Sequence, residues 1–191
     1  MERPLMADQK SKLLAKAASS SGTVTATRIE NATRFALRIS PLLAAEVAKA
    51  GGFDLTGPLN TVFATGELLS ARIGPDEWLL IAPDGLAESL TDAIERDLAG
   101  KLHALVDISH RNKAIVVEGT EAATVLNAGV PIDLSDAAFP PGSSTRTVLG
   151  KAEIVLMREK VGHRYRVECG RSFAPYVYAF VEEAGREFAV S

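Results

Sequence analysis

The feature that most constrains this chain is an order of elements that occurs twice: strand, helix, strand, strand, helix, strand. In the first half, Arg34 to Ile39 alternates, with Phe35, Leu37 and Ile39 on one face, as a half-buried strand does. Ser40 is an N-cap with Pro41 at the first helical position, Leu43 and Val47 lie four apart, and Gly51-Gly52 can supply a left-handed stop. Gly66 to Ile73 and Glu77 to Ala82 read as two strands joined through Gly74-Pro75-Asp76. Asp84 then caps a second helix with Leu86, Leu90, Ile94 and Leu98 in one stripe, Gly100 ends it, and Leu102 to Asp107 is a strand.

The second half follows the same order. Ala114 to Val117 is an apolar strand, Thr120 caps a short helix through Ala128 with Gly129 as its stop, and Val130 to Gly142 is a Pro-rich loop. Thr145 to Leu149 continues through Ala152 to Met157, and His163 to Glu168 pairs back across a turn at Glu159 to Gly162. Ser172 caps a last helix whose Phe173, Tyr176, Val177, Phe180 and Val181 share a face, and Glu187 to Val190 reads as a closing strand. This order is the split β-α-β arrangement, so the expected fold is α+β, two tandem ferredoxin-like lobes with antiparallel sheets and helices over one face of each. The expected division is a mobile tail over 1–22, a first lobe over 23–111 and a second over 112–191, together one compact unit. The tail carries Arg3, Lys10, Lys12 and Lys16 without a continuous apolar stretch, which makes a poor secretory signal.

Composition narrows the function classes. Lys plus Arg number 21 against 24 Asp plus Glu, a net charge of -3, which speaks against nucleic acid as a partner. No run approaches the roughly 18 apolar residues that a membrane-spanning helix needs. Cys169 is the single cysteine, so an intrachain disulfide and a Cys-based zinc site are both excluded, and the expected compartment is the cytoplasm.

Chemistry is sparse. Neither G-x-G-x-x-G nor G-x-x-x-x-G-K-[ST] occurs, and His103, His110 and His163 stand in no metal-ligand spacing. Asp107-Ile108-Ser109-His110-Arg111 invites a triad, but alternation turns Ser109 and His110 apart, and a polar crossover or subunit contact accounts for it better. Cys169 has no base beside it and reads as a buried thiol. Asp76 and Asp84 are explained by a turn and an N-cap. Arg111, Arg146, Arg164 and Arg171 fall in or near turns of the second half, where a guanidinium fork can hold a carboxylate of a partner or ligand. Trp78, and Tyr165 in the second hairpin, suit either an interface anchor or a core.

Several stretches together resemble one family. They are Gly74-Pro75-Asp76-Glu77-Trp78-Leu79-Leu80, Asp107-Ile108-Ser109-His110-Arg111, Pro131-Ile132-Asp133-Leu134, Thr145-Arg146-Thr147, and Arg171-Ser172-Phe173-Ala174 with Tyr176. Their order and spacing are similar to those of the gamma subunit of heterotetrameric sarcosine oxidase, from roughly Arg34 to Ala184. Val130 stands where many relatives have a cysteine, so no thiol role is carried over. The resemblance implies a subunit without catalytic, cofactor-binding or metal-binding residues of its own, in an assembly that oxidatively demethylates sarcosine to glycine with peroxide, and with methylenetetrahydrofolate when folate is present. It places FAD, FMN, NAD and tetrahydrofolate in the partner alpha and beta subunits, and it implies a fold similar to the folate-binding domain of the glycine-cleavage aminomethyltransferase. The residues expected at the partner interface are Trp78, His110, Arg111, Arg146, Arg171 and Tyr176. An uncovered apolar patch would also favour self-association of the isolated chain. The alternative is a stand-alone folate-binding or one-carbon-transfer protein in which Arg111 or Arg146 meets the glutamate carboxylates. A tRNA-modification-type module on the same fold is disfavoured by the charge.

Overall fold

Alternation along the strands decides which face each sheet turns to its helices. A computed structural model describes residues 24–160 and 162–188; the proposed tail over 1–22 lies outside the described residues. The first half runs β1 (Thr25–Ile29), β2 (Thr33–Ile39), α1 (Pro41–Val47), β3 (Lys49–Ala50), β4 (Phe53–Asp54), β5 (Thr61–Thr65), β6 (Leu68–Gly74), β7 (Glu77–Ala82), α2 (Ala87–Asp97) and β8 (His103–Asp107). The second runs β9 (Asn112–Glu118), α3 (Ala122–Asn127), β10 (Ser144–Leu149), β11 (Ala152–Arg158), β12 (Arg164–Gly170) and α4 (Ala174–Gly185), followed by one 3₁₀ turn, Arg186–Phe188. No helix among the described residues is long and apolar enough to cross a membrane.

One antiparallel sheet has the order β5-β6-β7-β2-β8 and the other β1-β9-β12-β11-β10. Within the first, β8-β2-β7-β6 is the order of a ferredoxin-like lobe, with β5 added at the far edge. Phe35, Leu37, Trp78 and Leu80 leave this sheet toward Ala44 of α1 and Ile94 and Leu98 of α2. In the second sheet, Ile115, Val117, Leu156, Tyr165 and Val167 pack under Val125 and Leu126 of α3 and Val177 and Val181 of α4. Burying each such aliphatic side chain contributes about 1.5–3 kcal/mol.

The opposite, inner faces of the two sheets meet each other. Val62, Ala71, Leu79 and Ile81 from the first sheet share a cluster with Met157 and Val155 from β11. Every residue of β7 is buried because helices cover one face and the second lobe covers the other. At the sheet edges the backbone joins the lobes directly. Ser144 N–H donates to the Asn60 carbonyl at 2.8 Å, and Val62 N–H to the Gly142 carbonyl at 2.8 Å.

The two halves are not independent chains of elements. A fourth strand was expected from Glu187 to Val190, but Arg186–Phe188 is a 3₁₀ turn and 189–191 lie outside the described residues. The place beside β9 is taken by β1, so a strand from the segment assigned to the first lobe completes the second lobe's sheet. Val24 joins the second core and Ile29 packs on Ala114 and Val116. Arg28 pairs with Glu182 of α4 and lies 4.9 Å from the Tyr178 ring centre.

Other expectations are corrected locally. Helix α1 starts as read, with the Ser40 side chain accepting from Leu43 N–H at 3.3 Å, but it ends at Ala48, which itself adopts φ 60°. Gly51 and Gly52, both at positive φ, instead make the turn between β3 and β4. Asp84, Thr120 and Ser172 are not the caps; Leu86, Glu121 and Phe173 occupy those positions and make no side-chain capping bond. The single run over Thr145 to Met157 is a hairpin, because Gly150 at φ +58° reverses the chain between β10 and β11. A Cβ at Gly150 would also collide with the Tyr176 hydroxyl.

Because β1 crosses between the lobes, a chain beginning at Asn31 should be much less stable than one beginning at Val24. It loses the burial of Val24 and Ile29 and leaves the β9 edge unpaired, an expected deficit of at least about 3 kcal/mol in urea unfolding. Equal midpoints for the two chains would show that the exchanged strand contributes nothing.

Candidate functional site

Inner-face positions of β2 and β12 are the ones that alternation turns away from the helical cores, and three of them are both charged and buried. Arg34 is fully buried, Glu168 is 1% exposed and Arg166 is 6% exposed. Arg34 Nε donates to Glu168 Oε2 at 2.8 Å, while Arg166 Nε donates to Glu168 Oε1 at 2.8 Å. Arg34 Nη1 donates to the Ala32 carbonyl at 3.1 Å, and the Arg34 backbone N–H donates to Ser109 Oγ at 2.9 Å. Two guanidiniums therefore share one carboxylate across the junction of the lobes, and the Nη2 atoms of both arginines lack hydrogen-bond partners. The cluster carries one excess positive charge.

Beyond this cluster the sheets diverge into an open cleft of about 1020 Å³. Ala36, Ile73 and Leu79 line its first-lobe side, and Val148, Val155 and Glu153 its second-lobe side. One rim is closed by ions: Arg146 donates to both Glu77 oxygens, at 3.1 Å from Nη1 to Oε2 and through a short Nη2 contact to Oε1, and Arg38 Nη2 reaches Glu77 Oε2 at 3.0 Å. The other rim holds His110, Arg111, Arg171 and Phe173.

Local turns fix that second rim. Asp107 accepts from the Ser109 N–H at 2.8 Å and from its hydroxyl at 2.6 Å, which sets the crossover into β9. Arg111 N–H then donates to the Ile108 carbonyl at 2.9 Å, and Arg171 N–H donates to the Arg111 carbonyl at 2.8 Å. Two arginines remote in sequence become backbone neighbours.

The structure divides the six expected interface residues. His110, Arg111, Arg146 and Arg171 come together around the cleft. Tyr176 is partly exposed on α4, with its hydroxyl accepting from Lys151 N–H at 3.2 Å. Trp78 is 1% exposed and belongs to the first core, with Arg72 stacked 4.9 Å from its ring centre, so it is not an exposed anchor. Tyr165 is equally a core residue. Arg164 is held by Glu159 at 2.9 Å and Glu118 at 2.5 Å.

Ser109 is engaged with Asp107 and Arg34 and His110 takes no part, so the pentapeptide is the polar crossover and no triad forms. Burial pushes the Cys169 thiol up to about 11, followed by the repulsive Glu168 charge, which keeps it protonated and unreactive near neutrality. Among the described residues no three His, Cys, Asp or Glu side chains stand together to hold a metal ion. Arg34, Arg166, Glu168 and Glu77 were missed. Their alternation with apolar residues is that of a strand with one wet face, and only the packing of the second lobe makes that face interior.

Breaking the buried cluster by Glu168→Gln leaves two guanidiniums facing a neutral amide, with an expected loss of about 3–5 kcal/mol in urea unfolding. Replacing all three, as Arg34→Met, Arg166→Met and Glu168→Leu together, should recover most of that loss. A Glu168→Gln loss below about 1 kcal/mol would contradict the reading of this cluster.

Fold and cleft define a class: two ferredoxin-like lobes packed inner face to inner face, the α+β arrangement of the aminomethyltransferase domain. The glycine cleavage system aminomethyltransferase T from Bartonella henselae matches with a TM-score of 0.65 at 13% identity, over 84% of this chain and 45% of that one, a likeness of fold alone. A chain of the heterotetrameric sarcosine oxidase from Corynebacterium sp. U-96, in complex with pyrrole 2-carboxylate, matches with a TM-score of 0.80 at 25% identity, over 95% of this chain and 94% of that one. Sarcosine oxidase subunit gamma of Corynebacterium sp. strain P-1 is 30% identical over 176 residues, 90% of this chain and 84% of its own length. The Arthrobacter sp. subunit gamma is 30% identical over 143 residues, 73% of this chain and 70% of its own length. With residues 37–187 matching the sequence profile of the sarcosine oxidase, gamma subunit family, the chain belongs to that family.

Proposed function

We propose that this chain is the non-catalytic gamma subunit of a heterotetrameric sarcosine oxidase and acts by joining the alpha and beta flavoprotein subunits. The observation that carries the reading is its match, over nearly the whole of both chains, to a chain of a heterotetrameric sarcosine oxidase. The complex would oxidatively demethylate sarcosine to glycine in the cytoplasm, passing the two electrons to oxygen to give hydrogen peroxide, with the methyl carbon leaving as methylenetetrahydrofolate when tetrahydrofolate is present. FAD, FMN, NAD and tetrahydrofolate would reside in the partner subunits. The chemistry of the described residues agrees with a contact role: Cys169 is a buried, protonated thiol, Ser109 is held in a turn, and two arginines without carboxylate partners, Arg111 and Arg171, line one rim of the cleft.

Arginine and aromatic side chains at such a rim are the residue types that dominate interface energetics, with truncation losses above about 2 kcal/mol at true hot spots. The test is sarcosine-dependent peroxide production by the tagged chain, purified alone and after co-expression with candidate alpha and beta subunits. The expected result is a colourless, inactive protein alone and an active yellow complex after co-expression. Capture of no subunit by the wild-type chain would contradict the proposal, and saturable folate binding by the isolated chain would favour the stand-alone alternative.

A further inference from the structure

Most arginines of this protein are already occupied. Arg28, Arg34, Arg38, Arg146, Arg158, Arg164, Arg166 and Arg186 pair with carboxylates, and Arg72 donates to the carbonyls of Gly57 and Pro75. Arg111 and Arg171 do not: neither guanidinium has a hydrogen bond, ion pair or ring contact among the described residues. Arg96, on the outer helix α2, is the other unengaged one, and it stands apart from the cleft. The backbones that carry the two free forks are joined by the 2.8 Å bond from Arg171 N–H to the Arg111 carbonyl, and both residues line the same cleft. They sit on the rim of a cleft whose other charged lining residues are Arg146, Glu77, Glu153 and Glu168; Arg146 and Arg38 pair with Glu77 and the buried Arg34 and Arg166 pair with Glu168, so Glu153 is the one lining carboxylate left to offset the two free cations, in a chain with a net charge of -3.

Beside the pair, Phe173 is 44% exposed, and the cleft wall behind it is apolar at Ile108, Val148 and Val155. An exposed ring near two unpaired guanidiniums on hydrogen-bonded backbone is a composite surface: one part takes carboxylates bidentately and the other takes an apolar side chain. The cleft, about 1020 Å³ and partly open to solvent with both cations in its lining, has room for a chain segment.

We propose that Arg111 and Arg171 form a carboxylate clamp that docks an acidic segment of a partner subunit in the inter-lobe cleft, with an apolar residue of that segment against Phe173. This rests on the subunit reading above and gives it a location. Long-range attraction between the cationic rim and an acidic segment would also speed encounter, and raised salt would weaken capture.

The test is capture of partner subunits by the co-expressed, tagged full chain in four forms: wild type, Arg111→Glu/Arg171→Glu, Arg96→Glu as a charge-matched surface control, and a form with a photocrosslinking phenylalanine analogue at Phe173. Wild-type capture reads the subunit assignment by itself, and its absence overturns both that assignment and the clamp. Given wild-type capture, the clamp requires at least a tenfold loss in the double variant, unchanged capture by Arg96→Glu, unchanged urea midpoints for the isolated chains, and a crosslink to an Asp- or Glu-bearing partner peptide. Capture by the double variant equal to that by Arg96→Glu overturns the clamp and leaves the subunit assignment standing. A crosslink to a second copy of this chain, or protection from crosslinking by free glutarate alone, also overturns it in favour of self-association or a small-molecule site.

Discussion

The packing of two sheets inner face to inner face is the constraint on which the molecule depends, and the Arg34, Glu168 and Arg166 cluster lies at its centre. Without the second lobe, the inner face of β2 would present Arg34 to water, as an ordinary half-exposed strand does. With it, the side chain is fully buried and its charge must be met within the protein. Glu168 meets it at 2.8 Å from the opposing sheet, and this fixes where β12 stands relative to β2. The apolar cluster around Leu79, Ile81 and Met157 supplies the burial, whereas the ions penalise any arrangement of the lobes that separates them.

Strand β1 reinforces the same union from another direction. It begins the described chain yet completes the sheet of the second half, pairing antiparallel with β9 while α4 covers it. The duplication visible in the order of elements is thus not a division into separable units. The cleft between the lobes keeps its shape only if they do not move apart. The rim turns have the same effect at short range: Asp107 accepts from Ser109 N–H, the Ile108 carbonyl from Arg111 N–H, and the Gly170 carbonyl from Phe173 N–H.

Much of this was legible in the sequence, and the failures have physical causes. Alternation marks β2, and the Gly74-Pro75-Asp76 turn marks the hairpin of β6 and β7, which the structure places there. Strands β1 and β5 escaped because TATRI and TVFAT sit at sheet edges with few buried side chains, and Pro58 and Asn60 before β5 read as loop. Asp84, Thr120 and Ser172 do not mark the helix starts because three of the four α-helices among the described residues begin without a side-chain capping bond. Trp78 looked available as an anchor since a lone tryptophan is equally at home in a core or an interface; the two-sided burial of β7 settled it. Of the stretches that carry the family resemblance, Glu77 to Leu79, His110-Arg111, Arg146-Thr147 and Arg171-Ser172-Phe173 line the cleft. The pairing of Arg111 with Arg171 could not be read, because 59 intervening positions separate neighbours that only the β9 to β12 ladder brings together.

The most direct test of this account is amide hydrogen exchange measured on the isolated chain and on the same chain within its purified complex. The account predicts slowed exchange on assembly over 108–112 and 170–174, with the outer surfaces of α1 and α2 unchanged. Protection confined to α1 and α2, or no difference at the cleft rim between the free and assembled chain, would contradict it.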